Sequence, residues 1–187
     1  MRKIILSSIL LIDRQYETGK GDCMTIEELL KVLEMQEEIL QFSHFTNSDA
    51  WELGNLIVME ANRRNQPIAV SIRLNNGFTV FQYGFDGINL YHEEMLRRKY
   101  NTVKFTEQSS MHLYMQLRLG EATQDELLVP EADYAALGGG FPIRIEEVGV
   151  IGAITVSGRD HVMDHDLIVK CVSKYLHVDE VPRIRAI

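Results

Sequence analysis

Apolar positions change their period several times along the chain, and each change marks an element. Leu29, Leu33 and Leu40 fall on one helical face just after Thr25 and Glu28, whose spacing is that of a capping box. A second helix is predicted from about Ser48, with the stripe Ala50, Leu53, Gly54, Ile57 and Ala61. Gly54 within that stripe implies close approach to a neighbour, and Asn65 and Pro67 end the helix. The period then drops to two: Ile68, Val70, Ile72 and Leu74 alternate with Ala69, Ser71 and Arg73. Asn76-Gly77 reads as a hairpin turn, Phe78 to Phe85 as the returning strand, and Asp86-Gly87 as its close.

Residues 89 to 119 are predicted to be helical with a break around Ser109-Ser110, and residues 121 to 140 irregular with a short helical turn. Phe141 to Ile145 follows as a third strand, Glu146-Glu147 as a turn, and Val148 to Ser157 as a long fourth strand. One face of that strand carries Val148, Val150, Ile154 and Val156, and the other carries the small residues Gly149, Ala153, Thr155 and Ser157. Gly158 feeds a final helix to about His177, followed by a polar tail. No repeat and no linker interrupts the pattern. The order of helices, hairpin, helices, hairpin and helix implies an α+β fold with one antiparallel sheet and helices packed against it.

Composition narrows the class of function. A chain of 187 residues with 45% hydrophobic and 25% charged residues is expected to form one domain burying roughly 70% of its unfolded surface. The net charge of -8 repels phosphate backbones, so nucleic acid is set aside as a partner. Cys23 and Cys171 form no CxxC pair, and Cys171 sits among apolar residues as an inert thiol. That usage fits a reducing cytoplasm.

The N-terminus admits three readings. Arg2 and Lys3 precede the apolar run Ile4 to Ile12, as in a signal peptide, but Asp13, Arg14 and Gln15 follow where a small-residue cleavage site belongs. The run is too short to span a bilayer, so no membrane partner is expected. Lys20-Gly21-Asp22 can be encoded by a purine-rich ribosome-binding sequence just upstream of the Met24 codon. The expectation is therefore an extension over 1–23 that is not native, ahead of a signal peptide or a true extra segment. One domain over 24–177 and a polar tail over 178–187 complete the division.

Several residues are candidates for chemistry. Gly138-Gly139-Gly140 precedes a strand rather than following one and opening a helix, which rules against a nucleotide loop. It is either a tight loop needing positive φ or backbone that approaches a flat ligand. Ser157-Gly158 opens the last helix, as an anion site or as a plain cap supplied by Ser157 or Asp160. His161 and His165 share a helical face with Ile168, Val172 and Leu176, so each is a core histidine or a metal or haem ligand. Arg97-Arg98-Lys99, with Asn101 and Lys104, concentrates positive charge as a solvated face or as a carboxylate-binding group. No Ser-His-Asp order or paired glycosidase-like carboxylates stand out.

The run Ala135 to Arg144 (AALGGGFPIR), the run Gly149 to Gly158 (GVIGAITVSG) and Asp164-His165 carry a family likeness. With Ile68 to Leu74 and Arg97 to Asn101, they make the chain from Met24 to Leu176 resemble the haem-degrading, HbpS/GlcG-like domain superfamily, in its branch of small cytosolic proteins. The resemblance implies a profilin-like fold with a central antiparallel sheet, and homo-oligomers. It also implies haem as a candidate ligand but places no shared iron-ligand motif; His165, which matches the branch's Asp-His pair, is the candidate iron ligand or a structural histidine. The leading functional expectation is a small-molecule binding protein for haem or another planar anionic ligand. Its pocket would be formed by Arg97, Arg98, Lys99, Asn101, Gly138, Gly139, Gly140, Ser157 and Gly158. The alternatives are an enzyme acting on a small anionic metabolite, for which no general base stands out, and an oligomeric adaptor for another protein.

Overall fold

The computed structural model describes residues 24–120, 127 and 129–184. The expected boundary at Met24 concerns residues 1–23, which lie outside them. Among the described residues, five helices and four strands follow one another. They are α1 (Ile26–Ile39), α2 (Asn47–Arg63), β1 (Ala69–Leu74), β2 (Thr79–Gly84), α3 (Leu90–Thr106), α4 (Ser110–Leu119), β3 (Gly140–Ile145), β4 (Gly149–Ser157) and α5 (His161–Tyr175). The strands form one antiparallel sheet in the order β2-β1-β4-β3. This is the expected α+β architecture.

The helices begin where their sequences supply caps. Thr25 and Glu28 bond each other's backbone at α1, and Thr46 and Asp49 repeat the arrangement at α2. Asn89 caps α3, Ser109 caps α4, and Asp160 rather than Ser157 caps α5 through Val162 N–H and Met163 N–H. The expected break at Ser109-Ser110 is thus a change of helix with its own N-terminus.

The sheet is covered on both faces. Ala50, Leu53, Ile57 and Ala61 of α2 and Leu167, Ile168 and Val172 of α5 bury one face, formed by Val70, Ile72, Ile154, Val156, Phe141 and Ile143. On the other face Tyr100 and Val103 of α3 pack on Ala153 of β4. α1 and α4 pair through Leu29, Leu30, Leu33, Met111 and Met115. The segment 178–184 is docked: Gln36 Nε2 donates to Pro182 O at 2.8 Å, and Arg183 pairs with Asp166 at 2.6 Å. Its Val181 is buried in the main core.

Gly54 meets the close neighbour that its place in the α2 stripe predicts. A Cβ there would lie 2.5 Å from the ring of Phe81. Replacing Gly54 by Ala is therefore expected to destabilise the fold by about 1–3 kcal/mol through overpacking. Chemical denaturation is the check, and adding Phe81→Leu should restore part of the loss.

Candidate functional site

The basic run of α3 divides by burial. Arg97 faces solvent and pairs with Glu94 at 2.6 Å and Asp133 at 3.0 Å. Arg98 donates to Tyr134 O and Glu131 O, Asn101 Nδ2 to Asp133 O at 2.9 Å, and Thr102 Oγ1 to Ala135 O. Together these donors satisfy the carbonyls of a segment with little secondary structure of its own and fix its path into the glycine run. Arg97, Arg98 and Asn101 thus bond the protein itself.

Lys99 turns inward. Its ammonium is almost wholly enclosed, donating to Val156 O at 2.7 Å and lying 3.4 Å from Asp164 Oδ2. Asp164 also accepts from Gly158 N at 2.9 Å and from Gln66 Nε2 at 3.3 Å. Burial pushes the Lys99 amine below its ordinary range and the Asp164 carboxyl above its own, and the attraction between the two opposes both shifts.

The glycines close around this pair. Gly139 has φ +104°, and a Cβ on it would lie 2.5 Å from Val156 O and 2.7 Å from Lys99 Nζ. Gly138 N–H donates to His161 Nδ1, and Gly140 N–H donates to Ser110 Oγ at 2.8 Å. The three glycines therefore admit neighbouring protein atoms, and Gly158 likewise meets Asp164. Ser157 is buried beside them. The structure brings together Lys99, Gly139 and Gly158 from the expected set. Asp164, visible in the sequence only as half of the Asp-His motif, is the residue they surround.

His165 does not join them. It is fully buried in α5, where Nε2 donates to Gln36 Oε1 at 2.9 Å, and no described group bonds Nδ1. Gln36 gives its own N–H to Pro182 O, which leaves its oxygen as the acceptor and places the imidazole proton on Nε2. With that nitrogen engaged and the ring enclosed, the conformation offers a haem iron no open position at His165.

Beside the buried pair, between the first half of α3 and the sheet, lies a cleft of about 160 Å³. Its floor follows from strand register: Ser71 stands opposite both Gln82 and Thr155, and Arg73 opposite both Thr79 and Ala153. These side chains share the face turned to α3 because they alternate with the core residues Val70, Ile72, Ile154 and Val156. The Arg73 guanidinium lies over the Tyr100 ring, 4.6 Å from its centroid, and its Nε donates to Gly77 O at 2.9 Å. Tyr100 is fixed in turn by its hydroxyl on Leu74 O at 2.9 Å. Among the described residues no carboxylate pairs with Arg73. At the other end Gln82 Nε2 donates to Glu93 at 2.6 Å. A larger open cleft of about 600 Å³ lies between α1 and the β3–β4 turn, lined by Glu34, Glu37, Glu38, His112, Arg144 and Glu147 among others. Among the described residues no group of three metal-ligating side chains is assembled, and no helix is long and apolar enough to cross a membrane.

This fold, a four-stranded antiparallel sheet between two helical layers, is shared with known proteins. The crystal structure of Ybr137w protein superposes with a TM-score of 0.74 at 26% identity, over 79% of this chain and 89% of that one. The family model described as haem degrading protein HbpS-like matches residues 45–173. A UPF0303 protein of Yersinia enterocolitica is 34% identical over 82% of this chain and 91% of its own length. The chain belongs to the HbpS-like family. The crystal structure of a PduOC:heme complex shares the fold with a TM-score of 0.61 at 19% identity, over 69% of this chain and 93% of that one.

The enclosed imidazole has a consequence in acid. Burial lowers the His165 pKa to about 3 from 6.5. The unfolded chain therefore takes up a proton near pH 6.5 that the folded chain refuses until about pH 3. Stability contributed by this group is complete above pH 6.5 and declines as pH falls through that window, by at most about 1.4 kcal/mol per pH unit. Urea denaturation between pH 7.5 and 5 should show a smaller pH slope in His165→Gln than in the wild type; equal slopes would refute the assignment.

Proposed function

We propose that this chain is a small-molecule binding protein whose ligand presents a carboxylate to the cleft between α3 and the sheet. One observation carries the reading: Arg73 is held over Tyr100 with no acidic partner among the described residues, beside the hydroxyl-bearing floor of Ser71 and Thr155. A pinned guanidinium without a counter-charge is arranged to take a carboxylate in a charge-assisted, two-pronged bond.

Haem is the second reading, supported by the family's description and by the haem complex of the PduOC structure. The cleft of about 160 Å³ has room for about five waters at about 30 Å³ each. A macrocycle does not fit inside it. A haem using this site would place one propionate on Arg73 and keep its ring outside.

A cytoplasmic homo-oligomer completes the proposal, Cys171 being a free buried thiol. Phe42 bridges to Ile145 at the β3 edge of the sheet, whereas no described segment pairs with the outer edge of β2. Met59, Tyr83 and Phe85 line a shallow groove beside that open edge, with Trp51 and Phe78 also exposed.

Calorimetric titration with butyrate, a plain carboxylate probe, tests the binding reading. Arg73→Gln is expected to weaken butyrate at least about tenfold, since hydrogen bonds to charged groups contribute about 1.5–3 kcal/mol. Haemin that uses the cleft through a propionate should compete with butyrate. Butyrate binding that ignores Arg73→Gln would move the site elsewhere. Light scattering at micromolar concentration is expected to give at least twice the chain mass, and a monomer would refute the assembly.

A further inference from the structure

The two ends of the cleft carry opposite charges, each without an ionic partner among the described residues. Among the described residues Arg73 bonds a backbone carbonyl and the face of Tyr100 and no carboxylate. Glu93 is held by the neutral amide of Gln82 and, among the described residues, by no cation. The other ionic groups at the rim compensate each other: Glu94 and Asp133 both pair with Arg97. A lone anion at Arg73 would leave Glu93 facing the ligand unbalanced, and a lone cation at Glu93 would do the same to Arg73.

Strand geometry sets the offset between the backbone positions behind the two ends. Gln82, which carries Glu93, stands across from Ser71, and Arg73 is two residues further along the same strand. At about 3.3 Å per residue that step is about 6.6 Å along the strand, and the crossing from β1 to β2 adds about 4.8 Å sideways. A ligand bridging it needs its cationic and anionic centres separated by several bonds, with a short chain lying over the hydroxyls of Ser71 and Thr155. The volume of about 160 Å³ limits such a ligand to a compact molecule.

We infer that the cleft is a site for a small zwitterion with its ammonium and carboxylate at opposite ends of a short chain. The carboxylate lies on Arg73, stacked against Tyr100, and the ammonium lies on Glu93. This inference rests on the carboxylate reading above and adds the second charge. Glu93 is exposed, so its contribution is smaller than that of Arg73 and is weakened by salt.

Four probes of nearly equal size separate the outcomes: 4-aminobutyrate, its isomer 2-aminobutyrate, butyrate and butylamine, titrated calorimetrically into the full chain at low ionic strength. The expected order places 4-aminobutyrate first, about two- to fivefold tighter than butyrate. The isomer 2-aminobutyrate, with its charges adjacent, should gain nothing over butyrate. Glu93→Gln should abolish the advantage of 4-aminobutyrate over butyrate, and butyrate, relieved of a facing negative charge, should bind no more weakly than to the wild type. Arg73→Gln should weaken both carboxylates, and Arg73→Lys, which keeps the charge, controls for any loss of folding. Equal affinity for 4-aminobutyrate and butyrate in the wild type, with Arg73→Gln still weakening both, would overturn the zwitterion and leave the carboxylate site standing. Failure of every probe to bind in the millimolar range would overturn both.

Discussion

A lysine and an aspartate removed from water hold this fold in one arrangement. An ammonium and a carboxylate in a protein interior lose several kcal/mol of hydration each, and only close, directed partners offset the loss. Lys99 finds Val156 O and Asp164, and Asp164 finds Gly158 N–H and Gln66 as well. Those contacts fix α3 to the end of β4 and both to α5, and the glycine loop joins them where Gly139 O accepts from Val156 N–H at 2.7 Å. Removing either charge leaves the other buried alone, a change that typically costs about 3–5 kcal/mol.

The requirement for space around that pair explains the glycines. Gly139 and Gly158 lie where any side chain would strike Lys99, Asp164 or the Val156 carbonyl. A motif that reads as a ligand loop is, in the folded chain, a loop closed on the protein's own buried charges. The same logic governs Arg98, Asn101 and Thr102, whose donors are taken up by carbonyls of residues 131–135. Positive charge on α3 organises backbone first, whereas Arg73, across the sheet interface, meets no carboxylate among the described residues.

The cleft follows from how α3 sits. Ala153, Thr155 and Ser71 are short side chains under the helix, while Tyr100 and Val103 fill the space only toward one end. Beyond Tyr100, whose ring carries Arg73, the gap stays open, with the hydroxyls of Ser71 and Thr155 on its floor. Position on the sheet thus decides which polar side chains become a site: those on the core face would be buried without partners, whereas those under α3 meet a partly open space.

Local pattern by itself settled most of the architecture. Period-two and helical stripes, the Asn76-Gly77 turn, the capping box at Thr25 and the break at Ser109-Ser110 gave the elements within a few residues, because each reports a local preference of the backbone. Gly54 announced its close neighbour, and the motif runs announced the family. The pairing register was not legible, since alternation says which residues share a face of one strand but not which strands lie side by side. Ser71, Arg73 and Thr155 therefore gave no sign of forming one floor. Nor does helical spacing tell an enclosed lysine from two outward arginines beside it: Lys99 differs from Arg97 and Arg98 only by the angle at which α3 meets the sheet. His165 was placed on the core side by its stripe, but its tautomer depends on Gln36, 129 residues away in sequence. Such partners come together only when the chain has folded, and so the tertiary structure alone decided which charges are buried, which are paired and which stay open.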